Sequence, residues 1–268
     1  MKLYISRHGQ TPWNVEDLVC GRADVPLTEV GVQQAKLLAE SALDKNIDVI
    51  LCSPLLRARQ TAQAVSDAIG VPVEIDQRLI ELDFGIFEGK SRKDPGFAYT
   101  RTQFPTRYPG GESAFQMAHR VYSCLEDVKQ KYAGKTVLLV CHGGVCRMVR
   151  SYFMDLTNDE YSYYYAGNAE LVEFDFGSFD GTSRFGEEFQ WLRAQMPTRF
   201  PGGESGFDLA YRVYSLLYEI REKYADKNVL LVCHNCVSRM VRSFFMNMTT
   251  EEYGNYHAPN AQLVEYEM

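Results

Sequence analysis

The feature that most constrains this 268-residue chain is an internal repeat. Residues 81–176 align with residues 173–268 at a constant offset of 92 and without a gap. The string ELDFG at 81–85 meets EFDFG at 173–177, and PGGES at 109–113 recurs at 201–205. VLLVCH ends at His142 and again at His234. Nothing in residues 1–80 recurs. A long unit present only twice is no solenoid. The chain therefore reads as an N-terminal part followed by two copies of one C-terminal part. The expected division is 1–174 as one domain, and 175–268 as a repeated half that aligns with 83–176.

Local patterning places the elements. Residues 3–6 read as a strand that runs into a loop at Gly9. Thr28 is a suitable N-cap for an amphipathic helix reaching about Ala42. Residues 48–52 form a short apolar strand, and Pro54 opens a helix that Gly70 ends. Residues 73–82 alternate and read as a further strand. Each copy then offers a helix (115–132 and 207–224), a buried strand (137–141 and 229–233), another helix and a last strand (169–174 and 261–266). Strands alternating with helices, and apolar along their whole length, predict an α/β fold with a mainly parallel sheet covered on both faces.

Composition narrows the function classes. Apolar residues make up 46% and charged residues 24%, which suits a globular chain, and the net charge is −7. There is no Lys/Arg-rich run to grip nucleic acid or an anionic membrane. No apolar run approaches the roughly 18 residues of a membrane span. Seven cysteines without framework spacing suggest reduced thiols and a cytoplasmic protein.

Ligands of open α/β sheets sit beyond the carboxyl ends of the strands. Arg7-His8, Ser53-Pro54 and His142 fall at such ends, and Glu81 ends another expected strand before a Gly-rich turn. Each alone has an ordinary structural reading: a solvated or core histidine, a surface arginine, a solvated glutamate. Arg59 is as good a candidate as its neighbour Arg57. Taken together, two arginines, two histidines and a glutamate are what phosphoryl transfer calls for. Guanidinium and imidazole groups neutralise the equatorial oxygens, and a carboxyl group protonates the leaving oxygen. Arg7 beside His8 would keep that imidazole neutral and nucleophilic.

The strings Arg7-His8-Gly9-Gln10-Thr11, Trp13-Asn14, Pro26-Leu27-Thr28 and Gly31 resemble the signature of the histidine phosphatase superfamily, the phosphoglycerate mutase-like family. Ser53-Pro54-Leu55 with Arg57-Ala58 and Gln60-Thr61 resembles its second motif. Glu81 before Phe84-Gly85 resembles its third, and His142-Gly143 its fourth. The resemblance covers 1 to about 174 and, through the repeat, the remainder again. It implies a three-layer α/β/α domain with the RHG strand central, to which the repeat adds a further half-domain. It implies His8 as the phosphorylated nucleophile, with Arg7, Arg57 and His142 on the phosphoryl oxygens and Glu81 as acid and then base. Asn14, Gly21 and the Gly143 backbone would complete the pocket, and the choice of Arg57 over Arg59 rests on it. No metal or cofactor is expected.

The string ELDFGIFEGK is closer to the family's phosphatase branch than to its mutase branch. The segment between Gly89 and Pro109 is short, which would leave a phosphoenzyme open to water. The expectation is a histidine acid-type phosphatase acting on a small phosphomonoester. The alternatives are a cofactor-dependent phosphoglycerate mutase and a non-catalytic phosphate-binding relative. Phe84, Phe87 and Tyr108 could line an apolar rim, though core packing is their ordinary use.

Copy one should supply the strand beside the first one, since it follows Glu81 directly and keeps Gly143 and Gly144 where copy two has Asn235 and Cys236. Glu173 and His234 are then expected to be vestiges. Cys233-His234-Asn235-Cys236 has no second Cys/His pair nearby and is not expected to hold a metal. Left with an unpaired apolar half, copy two is expected to pack on the sheet edge or to mediate a homodimer.

Overall fold

The computed structural model describes residues 1–175, 196–199, 204–231, 233, 235–256 and 264–267. A five-stranded sheet has the order β3-β2-β4-β1-β5. Its strands are β1 (Lys2–Arg7), β2 (Val49–Cys52), β3 (Val73–Ile75), β4 (Thr136–Cys141) and β5 (Leu171–Asp175). All neighbours pair in parallel except β5, which runs antiparallel to β1.

The central strands are apolar throughout because both faces are covered. Alternate side chains point to opposite faces. Leu3, Ile5, Val137 and Leu139 face one layer, which holds α5 (Ala114–Lys131) and α6 (Gly143–Phe153). Tyr4, Ile50, Leu138 and Val140 face the other, with α2 (Glu29–Ala42) and α3 (Leu56–Ile69). Short helices α1 (Pro12–Val15), α4 (Pro95–Arg101) and α7 (Asn158–Tyr163) lie in the connections. The fold is therefore α/β, with helices on both faces of a mainly parallel sheet.

The expected strand at 73–82 is cut short. β3 ends at Ile75, and a 3₁₀ turn follows at Gln77–Leu79. The Asp76 carboxylate accepts from the Arg78 N–H at 2.9 Å and pairs with the Arg78 guanidinium at 2.7 Å. That local bond turns the backbone out of the sheet and carries Glu81 towards the ends of β1 and β4.

Copy one wins the contested slot: its β4 lies between β1 and β2. Copy two repeats the helices and not the strand. Helices α8 (Gly206–Lys223), α9 (Asn235–Phe245) and α10 (Thr250–Asn255) are α5, α6 and α7 shifted by 92. Ser205 caps α8 with the box that Ser113 forms on α5. The Tyr122–Ser151 hydroxyl pair at 3.2 Å recurs as Tyr214–Ser243 at 3.1 Å. Residues 229–231 and 233, where the second buried strand was expected, form no strand, and Val232 lies outside the described residues. The physical reason is that β4 is already paired on both sides. Of the last expected strand, 264–266 is not strand and 261–263 lies outside the described residues.

The described helices of copy two do not extend the sheet. They lie on the helical layer: Phe207, Val213, Tyr214 and Leu217 of α8 are buried in one core with Phe115, Val121 and Tyr122 of α5. This contact buries the apolar faces of α5 and α8, while Val229, Leu230 and Leu231 stay exposed. Among the described residues no helix is long and apolar enough to cross a membrane.

Candidate active site

His8 follows directly on β1, and its position is fixed from all sides. Its Nδ1 lies 2.7 Å from the Gly9 carbonyl, and its Nε2 lies 3.2 Å from Nε of Arg57. A carbonyl can only accept and a guanidinium N–H can only donate. The ring is therefore the neutral tautomer with its proton on Nδ1 and its lone pair on Nε2. Burial holds the His8 pKa well below the usual histidine value, with Arg57 and then Arg7 adding to the effect. Arg7, the residue expected to hold this ring neutral, ranks behind desolvation and Arg57. Asn168 Nδ2 donates to the His8 carbonyl at 2.8 Å, and Gly9 N–H donates to Thr61 Oγ1 at 3.0 Å.

Arg57 is fully buried. Its two terminal nitrogens donate to the carbonyls of Ala23 at 2.7 Å and Gly21 at 2.6 Å, which aims Nε at His8. Arg59, one residue past the turn, is exposed. His142 caps β4 with its Nε2 2.7 Å from Ser53 Oγ, and its ring centroid is 5.2 Å from that of His8. Burial lowers its pKa strongly too, followed by Arg57.

Glu81 accepts from the Leu82 N–H at 2.8 Å and the Gly144 N–H at 2.9 Å, one bond to each oxygen. Gly144 has no room for a side chain, since a Cβ there would fall 2.4 Å from Glu81 Oε1. Arg7 donates to the Ala166 carbonyl at 3.0 Å and lies over the Tyr165 ring. Arg7 Nε and His142 Nδ1 are buried and have no protein partner among the described residues. Buried polar nitrogens normally find one, and a phosphoryl oxygen would serve.

A cleft of about 270 Å³ opens over this floor. Arg7, His8, Asn14, Glu81, Gly143 and Gly144 line it; Arg57 and His142 are not among its lining residues and adjoin it through His8. Gly21 does not line the cleft. It is a glycine because a Cβ would meet the Leu82 carbonyl at 2.6 Å, and its own carbonyl anchors Arg57. Of the expected aromatic rim, Phe84 and Tyr108 reach the cleft and Phe87 does not; all three are buried in edge-to-face contact. Glu173 is remote from the site. It projects from β5 into an ion pair with Lys2 at 3.1 Å and accepts from Tyr4 at 2.9 Å. His234 lies outside the described residues.

The cleft's outer wall is not marked in the sequence. Arg92, Arg101 and Arg147 line it, with Gln103 and Tyr163–Tyr165. Burial, and then Arg147, pulls the Arg101 pKa down to about 10. Burial also lowers that of Arg92, with Arg7 next. These arginines carry no local motif, and only the surplus of cations over acids in the assembled cleft marks them.

The profile of the Histidine phosphatase superfamily (branch 1) matches residues 3–180 and, a second time, 166–268. The chain belongs to that superfamily. Among its relatives, a Hydrogenobacter thermophilus protein named "Putative phosphoserine phosphatase 2" is 37% identical over 55% of this chain and 76% of its own length. An Enterobacter protein named "Probable phosphoglycerate mutase GpmB" is 39% identical over 53% of this chain and 70% of its own. Similar solved structures include the alpha-ribazole phosphatase from Shigella flexneri, 26% identical with a TM-score of 0.60, covering 66% of this chain and 92% of that one. A mycobacterial glucosyl-3-phosphoglycerate phosphatase is 28% identical with a TM-score of 0.57, covering 64% of this chain and 88% of that one.

Proposed function

We propose that this chain is a phosphomonoester hydrolase that works through a phosphohistidine at His8. The observation that carries the reading is the fixed Nδ1–H tautomer of His8, which leaves the lone pair on Nε2, where it accepts from the buried Arg57. Nε2 attacks phosphorus and the bond from phosphorus to the ester oxygen breaks. Arg7, Arg57 and His142 take up charge on the phosphoryl oxygens. Glu81 protonates the departing oxygen, then accepts a proton from the water that attacks phosphorus, and the bond from phosphorus to Nε2 breaks with its electron pair returning to His8. The guanidinium groups supply the positive charge, so the step is metal-independent. The active domain is 1–174, and 175–268 is a repeated half without a site of its own.

Arg92, Arg101 and Arg147 favour a small substrate with a second anionic group, such as a carboxylate, remote from the ester. Relatives named as mutases keep a second reading in view, that of a mutase primed by a bisphosphorylated cofactor.

A panel of phosphomonoesters assayed with EDTA, with His8→Ala as control, tests the proposal. The expected result is hydrolysis without any primer, and acid-labile, base-stable phosphate on the wild-type chain only. Turnover that begins only when bisphosphoglycerate is added would establish the mutase. Tight phosphate binding with no turnover of any ester would establish a non-catalytic relative.

A further inference from the structure

The two copies do not merely touch; they touch reciprocally. Phe115 meets Phe207, its own equivalent 92 residues on, with ring centroids 6.1 Å apart. His119 likewise meets its equivalent Tyr211 at 6.1 Å. Phe115 packs on Tyr253 at 5.5 Å, and the mirror pair, Phe207 on Tyr161, packs at 5.1 Å. Hydrogen bonds obey the same exchange. Thr106 Oγ1 donates to the Met248 carbonyl, and Thr198 Oγ1 donates to that of Leu156. Arg107 donates to the Phe244 carbonyl, and Arg199 donates to that of Tyr152. In every case the mirror residues differ by 92 in number.

Such exchange, where residue i meets j and the second j meets the second i, is the mark of an isologous two-fold interface. A spare half-domain packed wherever apolar surface was open would not produce it. We infer that copy two occupies the seat of a partner subunit: the helical face of copy one is self-complementary, and the repeat fills it from within the chain. The occupant that fits this face is therefore a second copy of the face itself. With the seat taken, the full chain does not dimerise through it.

The seat also bears on the cleft. The segment 102–107 is held by copy two: the Thr250 N–H donates to Gln103 Oε1 at 2.8 Å, and Thr106 and Arg107 make the bonds above. Gln103, Phe104 and Thr106 line the cleft, and Phe104 packs on Phe207 at 5.7 Å. Copy two thus braces one wall of the cleft as a positioning element, without touching the reacting groups.

Thr106→Val and Thr198→Val in the full-length chain form a matched test. Each removes one mirror bond and keeps the side-chain shape. Reciprocal packing requires both to speed amide exchange in residues 206–223, by roughly five- to tenfold for one lost buried bond. Both should speed it in residues 102–107 as well. If one variant loosens copy two and the other leaves it unchanged, the two-fold relation is wrong. A second arm uses Phe207→Glu, which unseats α8. Sedimentation should show the wild type as a monomer at micromolar concentration and this variant as a dimer, because copy one's face is bared. A wild type that dimerises through α5, or a folded Phe207→Glu chain that stays monomeric, overturns the inference. None of these readouts needs catalysis, so their failure is distinct from failure of the phosphatase reading.

Discussion

Replacing Gly144 with alanine should disable the acid without disturbing the fold. The new Cβ would lie 2.4 Å from Glu81 Oε1 and 3.2 Å from its Cδ, where ordinary contact begins at 3.4 Å. Glu81 must therefore retreat by about 1 Å, and the 2.9 Å bond from the Gly144 N–H is broken. A bond to a charged group contributes about 1.5–3 kcal/mol, and a 1 Å misplacement in an active site costs about 100-fold in rate. Near the start of α6, alanine is favoured over glycine by about 0.5–1 kcal/mol, so stability should not fall. The assay compares kcat on an alkyl phosphate, whose alkoxide needs a proton, with kcat on p-nitrophenyl phosphate, whose phenolate hardly does. The alkyl ester should lose about 100-fold and the aryl ester less than about tenfold. Equal losses on both esters, or an alkyl kcat within about threefold of wild type, would refute Glu81 as the acid seated by Gly144. Copy two has Cys236 at the equivalent position, which is incompatible with such a seat.

Arg57→Ala should lower kcat by about 10²–10³-fold and destabilise the fold by about 2 kcal/mol, because the carbonyls of Gly21 and Ala23 lose their donor. Arg59→Ala should change stability by less than about 0.5 kcal/mol and leave kcat alone; parallel kinetics and urea melts check both. His119, between α5 and α8, has its pKa pulled down to about 4 by burial. The unfolded chain takes up its proton near 6.5, so stability present above that pH is lost as pH falls towards 4. His119→Phe should flatten this part of the urea-midpoint profile between pH 7 and pH 4, and an unchanged slope would count against it. Val229, Leu230 and Leu231 are 44%, 70% and 38% exposed, an apolar stretch with no strand partner among the described residues. Leu230→Lys should reduce aggregation at high concentration, read by light scattering, with activity unchanged.

The residues at the strand ends were legible because each sits in a local pattern. A buried strand followed by a polar, Gly-flanked residue places Arg7, His8 and His142 with little ambiguity. The helices of both copies were equally plain, since capping serine or threonine and a 3.6-residue apolar period act over a few residues. The end of β3 was not legible, because it turns on one Asp76–Arg78 bond that outweighs the alternation of the segment. Gly21 carries no such pattern either: it matters through the carbonyl it offers Arg57 and the space it leaves, both set by distant segments.

The sequence by itself determined the helices, the repeat and the placing of Arg7, His8 and His142 at strand ends, because those depend on local order and residue type. Only the tertiary structure decided that the copy-two stretch 229–231 stays out of the sheet, where β4 already fills the one slot between β1 and β2. It also decided that the outer arginines share a cleft and that copy two lies across α5 with its equivalents face to face. Those outcomes rest on contacts between segments far apart in the chain, which no local pattern encodes.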